Sequence, residues 1–325
     1  MLASPTEQLD RASLRSFQLE HLRQQVKWAG EKSSFYKERF AAAGVTWQDI
    51  ETLDDIRKLP FLTISDLHQA QAAMDIVTLP LSGMLRYSHF QLEADEITHL
   101  YTPGDVAADV EMMRRALVAA GVTRASTLGV MGDMADSRLL DVQYAAEQLG
   151  AMVIPFGTSE KQQLWYMEHV SIDVLIGTAQ HIMQLIIHMQ AMGHDIASCP
   201  LAKIICLNSN GIQNPLQSHI KTRTRTEVYS LYASAELGLA GVLYPCEAHS
   251  GQHVQEDFYY PEIISFQGNE PIEEADVMGE LVVTTLQAEA MPMIRYRTGQ
   301  AVSLSEDQCS CGRTLRRVVT PFSFM

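Results

Sequence analysis

From Ser126 to Ser234 the chain alternates between short apolar runs and amphipathic ones, and this alternation constrains the fold more than any other feature. The runs "STLGVMG", "AMVIPFG", "IDVLIGT", "AKIICLN" and "EVYSLYA" are mostly apolar, as strands buried on both faces are. The intervening "RLLDVQYAAEQLG", "SEKQQLWYMEHV", "AQHIMQLIIHMQAMG" and "NPLQSHIKTRT" place apolar residues at helical spacing. Strands separated by helices imply parallel pairing through crossovers. The expected class is α/β, with helices around a largely parallel sheet.

The flanks read differently. "FQLEHLRQQVKWAGEKSSFYKERFAAAGV" predicts helix, with Leu19, Leu22, Val26 and Trp28 near one face and a stop at Gly44. "TISDLHQA" starts another helix, with Ser65 as its expected N-cap. "YTPGDVAADVEMMRRALVAAGV" predicts a third, capped by Thr102 and Asp105 and closed at Gly121. After Tyr232, "HVQEDFYYPEIISF", "GELVVTTL" and "AVSLSE" suggest antiparallel strands. We therefore expect a single domain over 1–325, with a helical part at 1–100, an α/β core at 101–240 and a β-rich subdomain at 241–325.

With 46% hydrophobic and 19% charged residues the chain can bury a full core. Its net charge of −15 argues against nucleic acid as a partner. The densest basic run, "HIKTRTRTEV" (His219–Val228), reads as a solvated helix end. The N-terminus "MLASPTEQLD" lacks the apolar core of a leader, and "DVLIGTAQHIMQLIIHM" is interrupted by Gln and His, so no membrane span is expected. Five cysteines, two spaced C-x-C, suggest thiols or thiolates in a reducing cytoplasm.

Those cysteines carry the sharpest chemical signal. Cys309 and Cys311 in "CSCG" supply two of the four ligands that zinc needs. "YPCEAHSGQHVQED" supplies Cys246 and His253, with His249 as a substitute nitrogen. Four protein ligands would make the zinc structural. The alternative is free thiols in turns. Cys199 and Cys206 sit among apolar residues and read as core thiols.

At this point the chain resembles the phenylacetate–coenzyme A ligase group of adenylate-forming enzymes. The likeness runs from about Leu22 to Arg317 and is carried by "LRQQVKWAGEKSSFYKERFAAAGV", "YAAEQLGAMVIPFGTSEKQ", "VYSLYASAELG", "EDFYYPEII", "GELVVTTLQAEAMPMIRYRTG" and "CSCGRTLRRV". The resemblance implies the fold of that family's N-terminal domain, zinc on the Cys–His set, a homodimer, and chemistry that joins a carboxylic acid to coenzyme A through an acyl adenylate. It places adenine and magnesium near Tyr232, Ala233 and Glu236, the adenine loop on Asn208, Ser209 and Asn210, and a conserved arginine at Arg297.

Several positions depart from that pattern. Ala233 stands for a glycine, Asn208 and Asn210 for a glycine and an acid, and Gln300 for the aspartate that grips ribose. Anchoring on "YTPGDV" sets Phe90, Gln91, Leu92, Glu93 and Asp95 on the phosphate loop, which should be glycine, hydroxyl and lysine. Carboxylates there repel a triphosphate, by roughly 1 kcal/mol per close pair in water and several times more in a drier cleft. The family's lid domain should follow Arg317, where eight residues remain.

Three readings follow. In the first, ATP and magnesium binding have been lost; this pseudoenzyme acts on a carboxylic acid or acyl thioester, or partners a complete ligase or carrier protein, and coenzyme A remains a candidate ligand. In the second, the chain is an ATP-dependent acid ligase with a minimal lid or one supplied in trans. In the third, different chemistry uses His89, His99 or His181 as general base. Glu236 and Arg297 are the catalytic candidates, and the alternative for them is a structural ion pair.

Overall fold

The computed structural model describes residues 2–72, 74–91, 96–208, 211–212 and 214–320. It divides into two compact units, one formed by Met1–Ala3 with Asp109–His249, the other by Ser4–Ala108 with Ser250–Met325.

Along the chain, the expected long N-terminal helix is two helices, α1 (Arg11–Lys32) and α2 (Ser34–Ala43). Ser33 breaks them because its hydroxyl accepts the Tyr36 N–H as an N-cap, at 3.3 Å. Helix α3 (Ile64–Ala72) follows. Its cap is Thr63 and not Ser65: Thr63 and Asp66 exchange backbone N–H bonds of 2.9 and 3.2 Å in a capping box. Strands β1 (Arg86–Gln91) and β2 (Glu96–Tyr101) pair as an antiparallel ladder.

Helix α4 (Pro103–Ala119) starts as expected on Thr102 and Asp105. The Asp105 carboxylate accepts the Thr102 N–H and also those of Glu289 and Ala290, at 2.9, 2.8 and 3.0 Å. A Cβ on Gly104 would stand 2.5 Å from the Glu289 carboxylate, which explains the glycine. The motif thus nails a helix start to a distant loop of its own unit.

The unit at 109–249 holds the alternating run. In order come β3 (Thr127–Met131), α5 (Ser137–Gln148), β4 (Met152–Gly157), α6 (Glu160–His169), β5 (Val174–Thr178), α7 (Ala179–Ala191), β6 (Lys203–Asn208), α8 (Leu216–Thr224), β7 (Glu227–Ser234) and β8 (Leu239–Pro245). Strands β4, β3, β5, β6 and β7 are parallel neighbours, and β8 closes the order antiparallel to β7. Phe156, Leu175, Ile182, Ile186, Ile204 and Cys206 are fully buried in one cluster. Cys206 is the core thiol expected, its pKa pushed up to about 12 by burial.

The other unit gains β9 (Gln252–Val254), β10 (Tyr259–Ile264), β11 (Gly279–Thr285), β12 (Tyr296–Ser305) and β13 (Arg317–Val319). Strands β10–β11–β12–β13–β9 pair antiparallel in that order. The chain thus has the α/β class expected, with the parallel sheet in one unit and β-rich antiparallel strands in the other. Among the described residues no helix is long and apolar enough to cross a membrane.

Candidate functional sites: a Cys–His centre and the strand ends

The C-x-C segment forms a tight turn. Gly312, at φ +85°, donates its N–H to the Cys309 carbonyl at 3.0 Å, folding Cys311 back beside Cys309. His253 sits on β9, fully buried, and pairs with Arg317 of β13. Its Nδ1 lies 3.1 Å from the Leu315 carbonyl, so Nδ1–H donates there and Nε2 faces the sulfurs, 3.4 Å from Cys311 Sγ. Cys246 follows the end of β8 and precedes His253 by seven residues. One ligand atom from each of Cys246, His253, Cys309 and Cys311 lies within 4.8 Å of every other. His249, the substitute nitrogen, stacks on Tyr229 at 4.8 Å instead.

The donor chemistry suits zinc: three sulfurs, one imidazole, and a carbonyl fixing the imidazole tautomer. Hydrogen bonding from His253 lowers the Cys309 pKa to about 7 against the opposing effect of burial. Burial lowers the pKa of His253, but bonds to the two thiols more than offset that and raise it.

A second group of polar residues lies at the carboxyl ends of the parallel strands, where α/β folds form their crevice. Asn208 ends β6 in register with Tyr232 of β7. Its Nδ2 donates to Ser230 Oγ at 2.5 Å, while its buried Oδ1 has no partner among the described residues. Tyr232 is 3% exposed, and burial, aided by the Glu236 charge, pushes its phenol pKa well up. The Ala233 carbonyl accepts from Arg138 Nη1 at 3.0 Å, and Asp136 grips the same guanidinium at 2.9 and 2.7 Å. Ser234 Oγ donates to Glu236 at 2.7 Å. Ser137 Oγ, buried on the first turn of α5, is also without a partner among the described residues. Such orphans are rare in native proteins and call for an explanation. Sequence reading missed Ser137 and Arg138, because nothing in "ADSRLL" shows that α5 begins beside the end of β7.

A cavity of about 220 Å³ opens nearby in the same unit, lined by Met131, Gly132, Thr158, Gln163, His181 and Gln184 among others. Of these, sequence reading had singled out only His181.

The remaining candidates lie in the other unit. Arg295 is 2% exposed and held by Glu262 at 3.1 and 2.8 Å and by the Leu59 carbonyl at 2.9 Å. Arg297 pairs with Glu280, Nε to Oε2 at 2.9 Å, so the carboxylate in its ion pair is Glu280 and not Glu236. The Gln300 N–H bonds to Thr298 Oγ1 at 3.2 Å. Phe90 is 5% exposed and belongs, with Gln91, to β1. Leu92, Glu93, Asp95, Ser209 and Asn210 lie outside the described residues.

The parallel sheet with its helices and the β-rich strands together make the fold of the adenylate-forming enzymes. It matches 2-hydroxyisobutyryl-CoA ligase, solved in an open conformation with 2-HIB-AMP and CoA, at a TM-score of 0.88 and 20% identity over 96% of this chain and 74% of that one. A long-chain-fatty-acid–CoA ligase from Archaeoglobus fulgidus matches less closely, at a TM-score of 0.52 and 11% identity over 73% and 52%. No protein-family model matches the chain. In sequence it is 29% identical over 319 residues to the phenylacetate–coenzyme A ligase of Escherichia coli K12, covering 97% of this chain and 72% of that enzyme. It is 28% identical over 321 residues to the enzyme of that name from Pseudomonas putida. The chain is phenylacetate–coenzyme A ligase-like.

Proposed function

We propose that the chain carries the acid-activating part of an acid–thiol ligase. It binds ATP with magnesium and a carboxylic acid. A carboxylate oxygen attacks the α-phosphorus, pyrophosphate leaves, and the acyl group passes from AMP to the coenzyme A sulfur. The observation that carries this reading is the set of polar groups at the ends of β6 and β7: Asn208, in register with Tyr232, has a buried oxygen without a partner among the described residues, as has Ser137 on the first turn of α5. In this reading Glu236 holds magnesium and Asn208 orients the nucleotide base, together with Ser209 and Asn210, which follow it in sequence.

The test is acid-dependent exchange of pyrophosphate into ATP, with a lid domain added in trans where the chain alone is silent. Glu236→Gln should lower exchange at least about a hundredfold, as loss of a charge-stabilising group does.

A second reading is favoured by Gln300, which cannot accept two ribose hydroxyls as a carboxylate does, and by Glu93 and Asp95. In it the nucleotide step is lost and the chain acts on an activated acyl thioester or partners a complete ligase or carrier protein. Thioester turnover without nucleotide, together with silent exchange, would select it.

We further propose that Cys246, His253, Cys309 and Cys311 hold one structural zinc, tying β9 to the 309–312 turn. Metal analysis should return one zinc per chain. We place the protein in the cytoplasm, in keeping with the free thiols of Cys199 and Cys206, and as a homodimer, which light scattering checks.

A further inference from the structure

We propose that Arg138 is a positioning residue for the acid-activation step: through the Ala233 carbonyl its guanidinium fixes the turn that carries Glu236, and so sets where that carboxylate meets magnesium. The inference rests on the ligase reading and adds to it a residue that acts through the backbone.

The end of β7 needs holding. Strand β6 ends at Asn208, in register with Tyr232, so Ala233 has no residue opposite it in that ladder. On the other side the pairing with β8 slips between Tyr232 and Ala233, from Leu243 to Ala240. Gly241 sits in that slip at φ +97°, a backbone conformation that favours glycine. Ala233 is nevertheless fully buried, and a buried carbonyl must find a donor.

Arg138 is that donor. It is the second residue of α5 and 8% exposed, and its Nη1 reaches the Ala233 carbonyl at 3.0 Å. The Nε and Nη2 of the same fork bond to Asp136, at 2.9 and 2.7 Å. Asp136 is itself fixed as the N-cap of α5, where it accepts the Arg138 N–H at 3.0 Å. A neutral donor could satisfy one carbonyl. A paired, buried cation makes a stiffer one, because moving it breaks charge-assisted bonds where little water can replace them.

From Ala233 the constraint passes along a short turn. Ser234 Oγ accepts the Leu237 N–H at 3.1 Å and donates to Glu236 at 2.7 Å. Gly238, at φ +75°, donates its N–H to the Ala235 carbonyl at 3.0 Å. Of residues 232–238 only Glu236 is partly exposed. A rotation at the Ala233 peptide would carry that carboxylate with it.

A purely structural clamp would satisfy the carbonyl equally well. The two roles part when the clamp is loosened without unfolding the chain. A misplaced carboxylate binds magnesium less well, whereas a partly unfolded preparation only holds fewer working sites.

The test uses the whole chain and two variants. Arg138→Lys keeps the charge but lacks the planar fork, so it cannot grip Asp136 and Ala233 together. Asp136→Ser combined with Arg138→Met removes both charges and keeps a capping hydroxyl, so no carboxylate is stranded. Amide hydrogen exchange, read residue by residue, should be about tenfold or more faster at Leu237 and Gly238 in both variants, with α5 beyond its first turn unchanged. In acid-dependent pyrophosphate exchange the magnesium concentration at half the maximal rate should rise about tenfold or more, the scale on which a displaced group is felt, while the KM of the acid stays unchanged. Amides at 237 and 238 as slow as in the wild type overturn the proposal. So does a lower maximal rate at an unchanged magnesium requirement, which makes the clamp structural.

Failure here and failure of the ligase reading are separable. Active exchange that neither variant alters upholds the ligase reading and sinks this one. Silent exchange in the wild type sinks the ligase reading, and the amide rates then decide alone whether Arg138 fixes the turn.

Discussion

Glu256 and Ser137 are both buried, yet they are treated in opposite ways. The Glu256 carboxylate, 0% exposed, accepts from Arg316 Nε at 2.8 Å, from the Arg316 N–H at 2.6 Å and from Arg11 at 2.9 Å. Ser137 is 2% exposed, and its hydroxyl has no partner among the described residues. The β-rich unit also pairs Glu7 with Arg313 and Glu262 with Arg295, all nearly inaccessible. In the unit of the parallel sheet, Asn208 on β6, Ser137 on α5 and His181 on α7 each have a buried atom without a partner among the described residues. Charges that must stay buried need partners, since desolvation alone would expel them. Neutral orphans cost less, and a ligand can repay that cost. The first pattern marks framework, the second a place prepared for a guest.

Breaking the framework should have the largest effects. Cys309→Ser with Cys311→Ser should release the zinc, measured by metal analysis. It should cost at least about 5 kcal/mol in denaturant unfolding, given that structural zinc binds small domains with about 10–16 kcal/mol. A stable, metal-free wild type would count against the centre.

Next comes Arg295→Ala, which strands Glu262. Its expected cost is about 3–5 kcal/mol, against less than about 1 kcal/mol for Arg297→Ala, whose side chain is 29% exposed. Urea denaturation of the two variants side by side checks the order.

The two buried carboxylates also separate in their response to pH. Burial would raise the Glu256 pKa, but Arg316 and Arg11 outweigh it and hold the group below its ordinary 4.5. For Glu262 burial wins over Arg295 and Arg57, and the pKa is raised. A depressed carboxylate stabilises the fold above its unfolded pKa, and that contribution is lost as pH falls through the folded value. A raised one works against folding at neutral pH and ceases to as acid protonates it. Stability measured from pH 7 downward should therefore fall below about pH 4.5 through Glu256, and Glu256→Gln should flatten that limb. A limb unchanged by this substitution would rule Glu256 out as its source.

The smallest effect on stability is expected at the prepared end. Ser137→Ala removes a buried hydroxyl with no partner, so stability should change by less than about 1 kcal/mol or improve. Acid-dependent exchange should nevertheless drop. A large loss of stability would mean that Ser137 belongs to the framework after all.

Much of this was legible in the residues. The alternation from Ser126 to Ser234 determined strand and helix types, because burial on both sheet faces and on one helix face leaves different periods. "CSCG" with "CEAHSGQH" named the thiolate and imidazole donors, because metal chemistry restricts residue type. The "YTPGD" capping pair was equally plain, since a cap acts over three residues. What only the tertiary structure decided depends on contacts far apart in sequence. It paired Arg297 with Glu280, gave Arg295 to Glu262 in a buried anchor, and brought the start of α5 to the Ala233 carbonyl. It also opened a cavity around His181 that no local pattern announces. Local sequence dictates propensity and donor chemistry. Which buried atom meets a partner and which is left waiting is a property of the packed chain.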